Sequence, residues 1–248
     1  MIHLKSKEEI RLMIEGGKKL RKVVSNLLPI VRPGTTTELI DKKAEELIIK
    51  EGGQPSFKKV EGYFWTTCLP VNEQIVHTPP SGRVLKDGDL LTVDIGMYFQ
   101  GYHTDFATTL MVGEEKDQRL KKFLETGQIA LRKAILQAKT GKRITDISQA
   151  IQQEIEDNGY RVIKELTGHG IGKDLHEDPN IFGFFRGSKD KTVLIKPGLT
   201  VAIEVIYSQT SEEIEYEDEW SIKTKDDSLS ACFEHTIAVT ENETIVLT

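Results

Sequence analysis

The chain has 248 residues, 38 % of them hydrophobic and 29 % charged, with a net charge of −6. That is enough apolar material for a sizeable core, in one large domain or two small ones, and glycine 20 with proline 8 excludes a collagen-like or low-complexity chain. The acidic balance argues against a protein whose main task is to grip nucleic acid phosphates, so no specific DNA partner is expected.

In chain order, the N-terminus lacks the apolar core of a secretory signal, and no stretch approaches the roughly 20 apolar residues of a membrane helix. Cys68 and Cys232, with no CxxC spacing, fit a reduced, cytoplasmic setting without membrane contact. Residues 6–28 are predicted as an amphipathic helix. Its Lys18, Lys19, Arg21 and Lys22 read first as a solvated face and second as a transient contact with ribosomal RNA. Pro33-Gly34 then leads into a helix carrying Ile40, Ala44, Leu47 and Ile48 on one face and ending at Gly52-Gly53. His77 closes the apolar run Gln74-Ile75-Val76 just before Pro79-Pro80, a place for a side chain facing a cleft.

Residues 90–95 and 105–112 are predicted strands of a hairpin turning at Gln100-Gly101. If those two residues form the loop, position 94 pairs with 107, and Asp94 and Asp105 share a face. A bulge would separate them, leaving two solvated strand-end aspartates. A second amphipathic helix follows at 117–139, and Thr140-Gly141 leads into another with Ile144, Ile147, Ile151 and Ile155 on one face, ending at Asn158-Gly159.

His169 lies in Gly168-His169-Gly170-Ile171-Gly172, where glycines permit close backbone approach, and His176 follows seven residues later. Asp174 stands where a phosphate loop needs Ser or Thr, and no HExxH occurs. Residues 193–195, 200–207 and 235–247 are predicted strands, and 212–219 an acidic hairpin tip in water. Strand alternation turns either Glu234 or His235 inward, with Glu234 preferred. His3 and His103 are expected at the surface.

The chain repeats itself once. Gly34, Ile40, Ile48 and Gly52 recur 107 positions later as Gly141, Ile147, Ile155 and Gly159, and Leu85-Lys86-Asp87-Gly88 to Asp94 is echoed 110 positions later by Ile195-Lys196-Pro197-Gly198 to Glu204. Chance similarity of turn chemistry is the alternative. A duplication predicts two α/β halves, roughly 6–113 and 117–245, with pseudo-twofold symmetry, and puts Asp94 and Glu204 at equivalent ends of inner strands beside a shared cleft.

Asp94, Asp105, His169, Glu204 and Glu234 all sit in or beside short apolar runs. Two unit charges about 4 Å apart repel by roughly 4 kcal/mol at an effective dielectric of about 20, whereas a domain is stable by only about 5–15 kcal/mol. Either these groups lie apart or exposed, or they converge on cations. The expectation is a cluster holding two divalent metals.

In this order, Val93-Asp94, Thr104-Asp105, Gly168-His169-Gly170, Ile203-Glu204 and Glu234-His235-Thr236 resemble the methionine aminopeptidases of bacterial type I. Val71-Asn72-Glu73 before His77, and Trp220 ahead of Lys223-Thr224-Lys225-Asp226, extend the resemblance along the chain. It implies the pita-bread fold, an α/β (α+β) architecture of two related halves, with residues 1–248 as a single catalytic domain. It also implies two divalent ions held by Asp94, Asp105, His169, Glu204 and Glu234, with Asp105 and Glu234 bridging. His77 and His176 would contact the scissile bond, and Tyr63, Cys68 and Trp220 would line the methionine pocket.

The implied reaction removes the N-terminal methionine of nascent chains whose second residue is small. A metal-bridging hydroxide attacks, Glu204 shuttles a proton, His176 steadies the oxyanion and His77 positions the amide. The oxygen-rich ligand set suits Mn²⁺, Fe²⁺ or Co²⁺ at least as well as Zn²⁺, and a monomer is expected. The sequence departs from the family pattern at Val205, at Thr78, in 60–65 and at Leu175. X-Pro dipeptidases or aminopeptidase P share the fold and ligands but usually carry an extra N-terminal domain, for which the residues before the first helix leave no room. A non-catalytic binding protein of this fold is a further alternative, one that should lack ligands.

Overall fold

The computed structural model describes residues 2–114, 117–185 and 187–248. Among these residues four α-helices, α1 (Lys7–Leu27), α2 (Thr37–Lys50), α3 (Gln118–Gln137) and α4 (Ile144–Asp157), pack on thirteen strands. In the first half these are β1 (Gln54–Pro55), β2 (Thr67–Cys68), β3 (Gln74–Val76), β4 (Leu90–Phe99) and β5 (Tyr102–Met111). In the second they are β6 (Arg161–Val162), β7 (Thr167–Gly170), β8 (Glu177–Phe182), β9 (Thr200–Ser208), β10 (Ile214–Tyr216), β11 (Ile222–Thr224), β12 (Ser230–Val239) and β13 (Thr244–Val246).

Local chemistry sets the helix ends. Ser6 and Glu9 form a reciprocal capping box at the start of α1, and the Thr36 side chain accepts from the Leu39 N–H to cap α2. Gly52 and Gly159 follow α2 and α4 with φ of 82° and 86°, a left-handed conformation that an L side chain resists. Ile40, Ala44 and Ile48 of α2, like Ile147, Ile151 and Ile155 of α4, have no exposed surface. Each such isoleucine contributes roughly 1.5–3 kcal/mol by leaving water.

One sheet runs in the order β1-β4-β5-β12-β9-β7-β8, with every pairing antiparallel. The β4–β5 turn has Gln100 at φ 47° and Gly101 at φ 91°, the two positive φ values of a type I′ turn, and no bulge interrupts the ladder. Phe99 therefore pairs with Tyr102 and Asp94 with Ala107. Helices cover one face. Val93 and Met97 meet α1 and α2 in one core, while Ile203, Tyr207 and Phe233 meet α3 and α4 in another. The period of two then turns Asp94, Asp105, Glu204 and Glu234 to the opposite face.

Four expectations need correction. The halves share one continuous sheet, and Asp94 and Glu204 lie in the middle of β4 and β9, the strands flanking the central β5–β12 pair. Residues 193–195 make only a bridge, Leu194 to Arg143, because the chain crosses over the start of α4 there. The run 235–247 is two strands, since the Thr240 N–H and hydroxyl both donate to the Glu243 carbonyl and the hydroxyl oxygen accepts from the Glu243 N–H, a turn that folds β13 onto β12. His103 is buried, with 4 % exposure. Its Nδ1 lies 2.9 Å from Ser56 Oγ, its backbone N–H donates to the Gly172 carbonyl, and Tyr98 packs on its ring. The cover over His103 comes from segments distant in sequence, which is why a polar residue beside a hairpin turn read as exposed.

Candidate metal centre and its cleft

The strand register builds the site in two rows across one face. In the first row Cys68 of β2 lies opposite Asp94 of β4, Asp94 opposite Ala107 of β5, Ala107 opposite Glu234 of β12, and Glu234 opposite Glu204 of β9. The second row, two residues along each strand, runs Gly96, Asp105, Thr236, Ala202 and His169. Ala107 and Ala202 keep small side chains between the acids, while Gly96 lets Ser56 and Phe57 pack against β4, where a Cβ would meet Ser56 Cβ at 2.7 Å. Four carboxylates and an imidazole from five strands thus point into one pocket.

Donor atoms of Asp105, His169 and Glu234 all lie within 4.8 Å of one another. Glu204 Oε1 stands 3.5 Å from His169 Nε2. The Thr236 hydroxyl fixes the β5–β12 contact, accepting from the Asp105 N–H and donating to the Asp105 carbonyl, each at 2.8 Å. Asp105 Oδ1 accepts from the Phe106 N–H at 3.0 Å. His169 Nδ1 lies 2.8 Å from the Gly170 carbonyl, so Nδ1 carries the proton and Nε2 presents its lone pair to the cluster. His169 can take this position because Gly168 and Gly170 press against backbone, where a Cβ would meet carbonyl oxygens at 2.5 and 2.1 Å.

The electrostatics are those of a site built for positive charge. Burial, and then the Asp105 and Glu204 charges, raise Asp94 well above the ordinary carboxylate range. Burial likewise raises Glu204, with Asp105 adding, and raises Glu234, with Asp105, Glu204 and Asp94 adding. Asp105 is pushed up to about 7 by burial. His169 is held down to about 3, by burial first and then by His176, so it is neutral at pH 7. Glu234 Oε1 is buried with no hydrogen-bond partner. An orphaned carboxylate oxygen amid three more acids and a neutral imidazole lone pair is a donor set that divalent cations fit.

The acids share one cleft of about 590 Å³ with Phe57, Val60, Tyr63, Cys68, Leu175 and Trp220, and His77 and His176 line it too. Tyr63 stands edge-on to Trp220, Trp65 and Phe57, and its hydroxyl donates to the Thr67 carbonyl and meets Cys68 Sγ at 3.2 Å. Burial pushes the Cys68 thiol up, and the neighbouring Asp94 pushes it further, so it stays protonated. His77, at φ 59°, and His176 keep exposed surface, yet both titrate low because the cleft strips part of the water from the charged ring, with His176 adding to the effect on His77. The His176 ring lies edge-on to His169 with centroids 4.5 Å apart.

All ten residues singled out from the sequence line this one cleft. Phe57 and Val60 were not foreseen as part of it. They sit in and after a single 3-10 turn with no periodicity, and only the pairing of β1 and β2 with β4 brings them there. Glu234 rather than His235 faces the acids, while His235 packs on Phe106 from the other side. Among the basic residues of α1, Lys19 donates to the Glu51 carbonyl and lies over the Phe99 ring, and Lys22 pairs with Glu51 at 2.7 Å.

Residues 11–241 match the metallopeptidase family M24. Methionine aminopeptidase 1 of Bacillus subtilis is 41 % identical over 249 residues, covering 100 % of this chain and 99 % of its own length. The crystal structure of methionine aminopeptidase from Thermotoga maritima superposes with a TM-score of 0.95 at 38 % identity, covering 100 % of this chain and 99 % of that one. A prolidase from Pyrococcus furiosus shares the fold alone, with a TM-score of 0.80 at 22 % identity; the match covers 99 % of this chain and 65 % of that longer one. Sequence, sheet order and the gathered acids agree: this chain belongs to metallopeptidase family M24, within its methionine aminopeptidases.

Proposed function

We propose that the chain, as one catalytic domain, removes the N-terminal methionine from nascent polypeptides whose second residue is small, in the cytoplasm and as a monomer. The observation that carries this reading is an apolar, aromatic-lined pocket opening directly onto five convergent metal-type donors. Asp94, Asp105, His169, Glu204 and Glu234 would hold two divalent cations, Asp105 and Glu234 standing on the two central strands. Bound there, such cations supply Lewis-acid charge that brings the ionisation of water near neutral pH. Oxygen donors outnumber nitrogen four to one, which suits Mn²⁺, Fe²⁺ or Co²⁺ as well as Zn²⁺.

The chain's own residues do the rest. Tyr63, Cys68 and Trp220, with Phe57, take the thioether side chain and exclude water from it. Neutral His176 donates a hydrogen bond to the carbonyl oxygen as negative charge develops there, and His77 holds the scissile amide. Glu204, facing the same cluster, would take up a proton and pass it to the leaving nitrogen. Cleavage of Met-Ala-Ser by the Mn²⁺-loaded protein, compared with Xaa-Pro peptides, tests the reading. Preference for Met-Ala-Ser is the expected result, and preference for Xaa-Pro peptides would assign the chain to the prolidase chemistry of the same fold.

A further inference from the structure

Lys5 is the outlier among the lysines, with 5 % exposure for the residue and 1 % for its side chain. Its Nζ donates to Glu177 Oε2 at 2.5 Å, across 172 positions of sequence, and to the His3 carbonyl at 3.1 Å. The Lys5 N–H donates to the Gly198 carbonyl, so the arm before α1 is tied to the turn that leads into β9. The other oxygen of Glu177 accepts from the Asp174 N–H at 3.3 Å. Glu177 directly follows His176.

The loop between β7 and β8 is therefore held from the N-terminal arm. At Gly172, where the loop leaves β7, a Cβ would lie 2.4 Å from Lys5 Cε and 2.6 Å from Glu177 Oε1, so a larger residue there would displace the pair. Its carbonyl accepts from the His103 N–H, and its N–H donates to the Asp174 carbonyl. A second tie runs in parallel. Glu9 accepts from the Tyr102 hydroxyl at 2.8 Å, and Lys173 Nζ stands 3.9 Å from the same oxygen. By contrast, the His176 ring makes an edge contact with His169 and no hydrogen bond to any described residue. Its aim comes from the backbone beneath it.

A buried ion pair adds little stability compared with an apolar pair of the same volume, but it fixes geometry, because each charge tolerates only one partner position. We propose that the Lys5–Glu177 pair is a positioning device, with the N-terminal arm setting where His176 meets the substrate carbonyl. The inference rests on the role given to His176 above. An imidazole displaced by about 1 Å loses up to about 100-fold in rate while leaving ground-state binding nearly untouched.

The test uses the full chain loaded with Mn²⁺, comparing wild type, Lys5→Met/Glu177→Met and Lys5→Arg, each with and without His176→Ala. For the doubly apolar variant the expected results are a native melting profile, faster amide hydrogen exchange at 172–177, and kcat on Met-Ala-Ser lowered on the order of 10-fold with KM within about twofold. Lys5→Arg retains most of wild-type kcat, and in the His176→Ala background removing the pair costs nothing further. Where the doubly apolar chain does not fold, Glu177→Gln, which keeps an acceptor, is expected to lower kcat about threefold by the same route. Wild-type kcat in the pair variant beside a slow His176→Ala would overturn the proposal, as would an equal loss in the His176→Ala background. A His176→Ala chain with undiminished kcat would instead overturn the role of His176 itself.

Discussion

The two halves use the same slot of the sheet for different chemistry. Beside β4, the flanking strand of the first half, β2 places Cys68 opposite Asp94; beside β9, its counterpart, β7 places His169 opposite Ala202. The framework around these slots is duplicated. Gly34 and Gly141 share φ values of 87° and 85°, Gly88 and Gly198 share 89° and 95°, and α2 and α4 are both 14 residues long. The symmetric parts thus supply acids, Asp94 from one half and Glu204 from the other. The parts that depart from symmetry line the rest of the cleft: Phe57, Tyr63, Cys68 and His77 from the first half, His176 and Trp220 from the second, with His169 adding the one nitrogen donor. A charge cluster can be doubled by duplication, whereas a side-chain pocket and a directional hydrogen-bond donor need one copy each.

This division orders the expected effects. Asp105→Asn strikes the shared centre, leaving an amide where a charged donor is needed, and peptide hydrolysis should fall by more than about 100-fold, beyond the usual cost of disturbing a supporting group. Steady-state kinetics with metal in excess measures it, and unchanged turnover would place the centre elsewhere. Next comes the second half's insertion. His176→Ala should lower kcat about 100-fold with little change in melting temperature, the loss typical of one oxyanion donor. In the first half's pocket, which Trp220 completes, Trp220→Ala should raise KM for Met-Ala-Ser about 10-fold while kcat changes less. A kcat-only effect there would mean that the aromatic wall does not hold the side chain.

The smallest expected effect is on stability against pH in the metal-free protein. Asp105 titrates near 7 when folded against about 4 when unfolded, so the folded state holds a proton that the unfolded state has released. The stabilisation is complete below about pH 4 and is lost as pH rises to about 7, and Asp94, Glu204 and Glu234 act in the same direction. His169, held at about 3 against about 6.5, opposes them over pH 3–6.5, and so do His103 and His235, held at about 4, and the lowered His77 and His176. The acids are therefore read by difference: in urea unfolding with chelator, the wild type should lose stability relative to Asp105→Asn between pH 5 and pH 7.5, and Mn²⁺ should restore the wild type's advantage at pH 7.5. A metal-free wild type that gains stability on the variant over that interval would contradict the gathering of acids.

Much of this was legible in the sequence because local rules decide it. Gly52, Gly141 and Gly159 mark helix boundaries through φ, and Gln100-Gly101 sets a register that puts Asp94 and Asp105 on one face. For Glu234 the residues alone were less decisive. Both faces of β12 are covered, so the hydrophobicity of Phe233 and Ile237 shows which side meets the helices, and the acids of neighbouring strands show what the other side meets. His103, Phe57 and Lys5 were not legible. Their environments are assembled from Ser56 with Gly172, from β1 and β2 pairing with β4, and from Glu177, partners as far as 172 positions away, which no window of sequence brings together.

Acids from both halves sharing a pair of cations is the claim on which the rest depends, and anomalous diffraction from crystals of the Mn²⁺-loaded protein addresses it most directly. Two neighbouring peaks are expected between β4 and β9, within contact of Asp94, Asp105, His169, Glu204 and Glu234. A cleft without peaks, or ions bound only away from these five side chains, would contradict it.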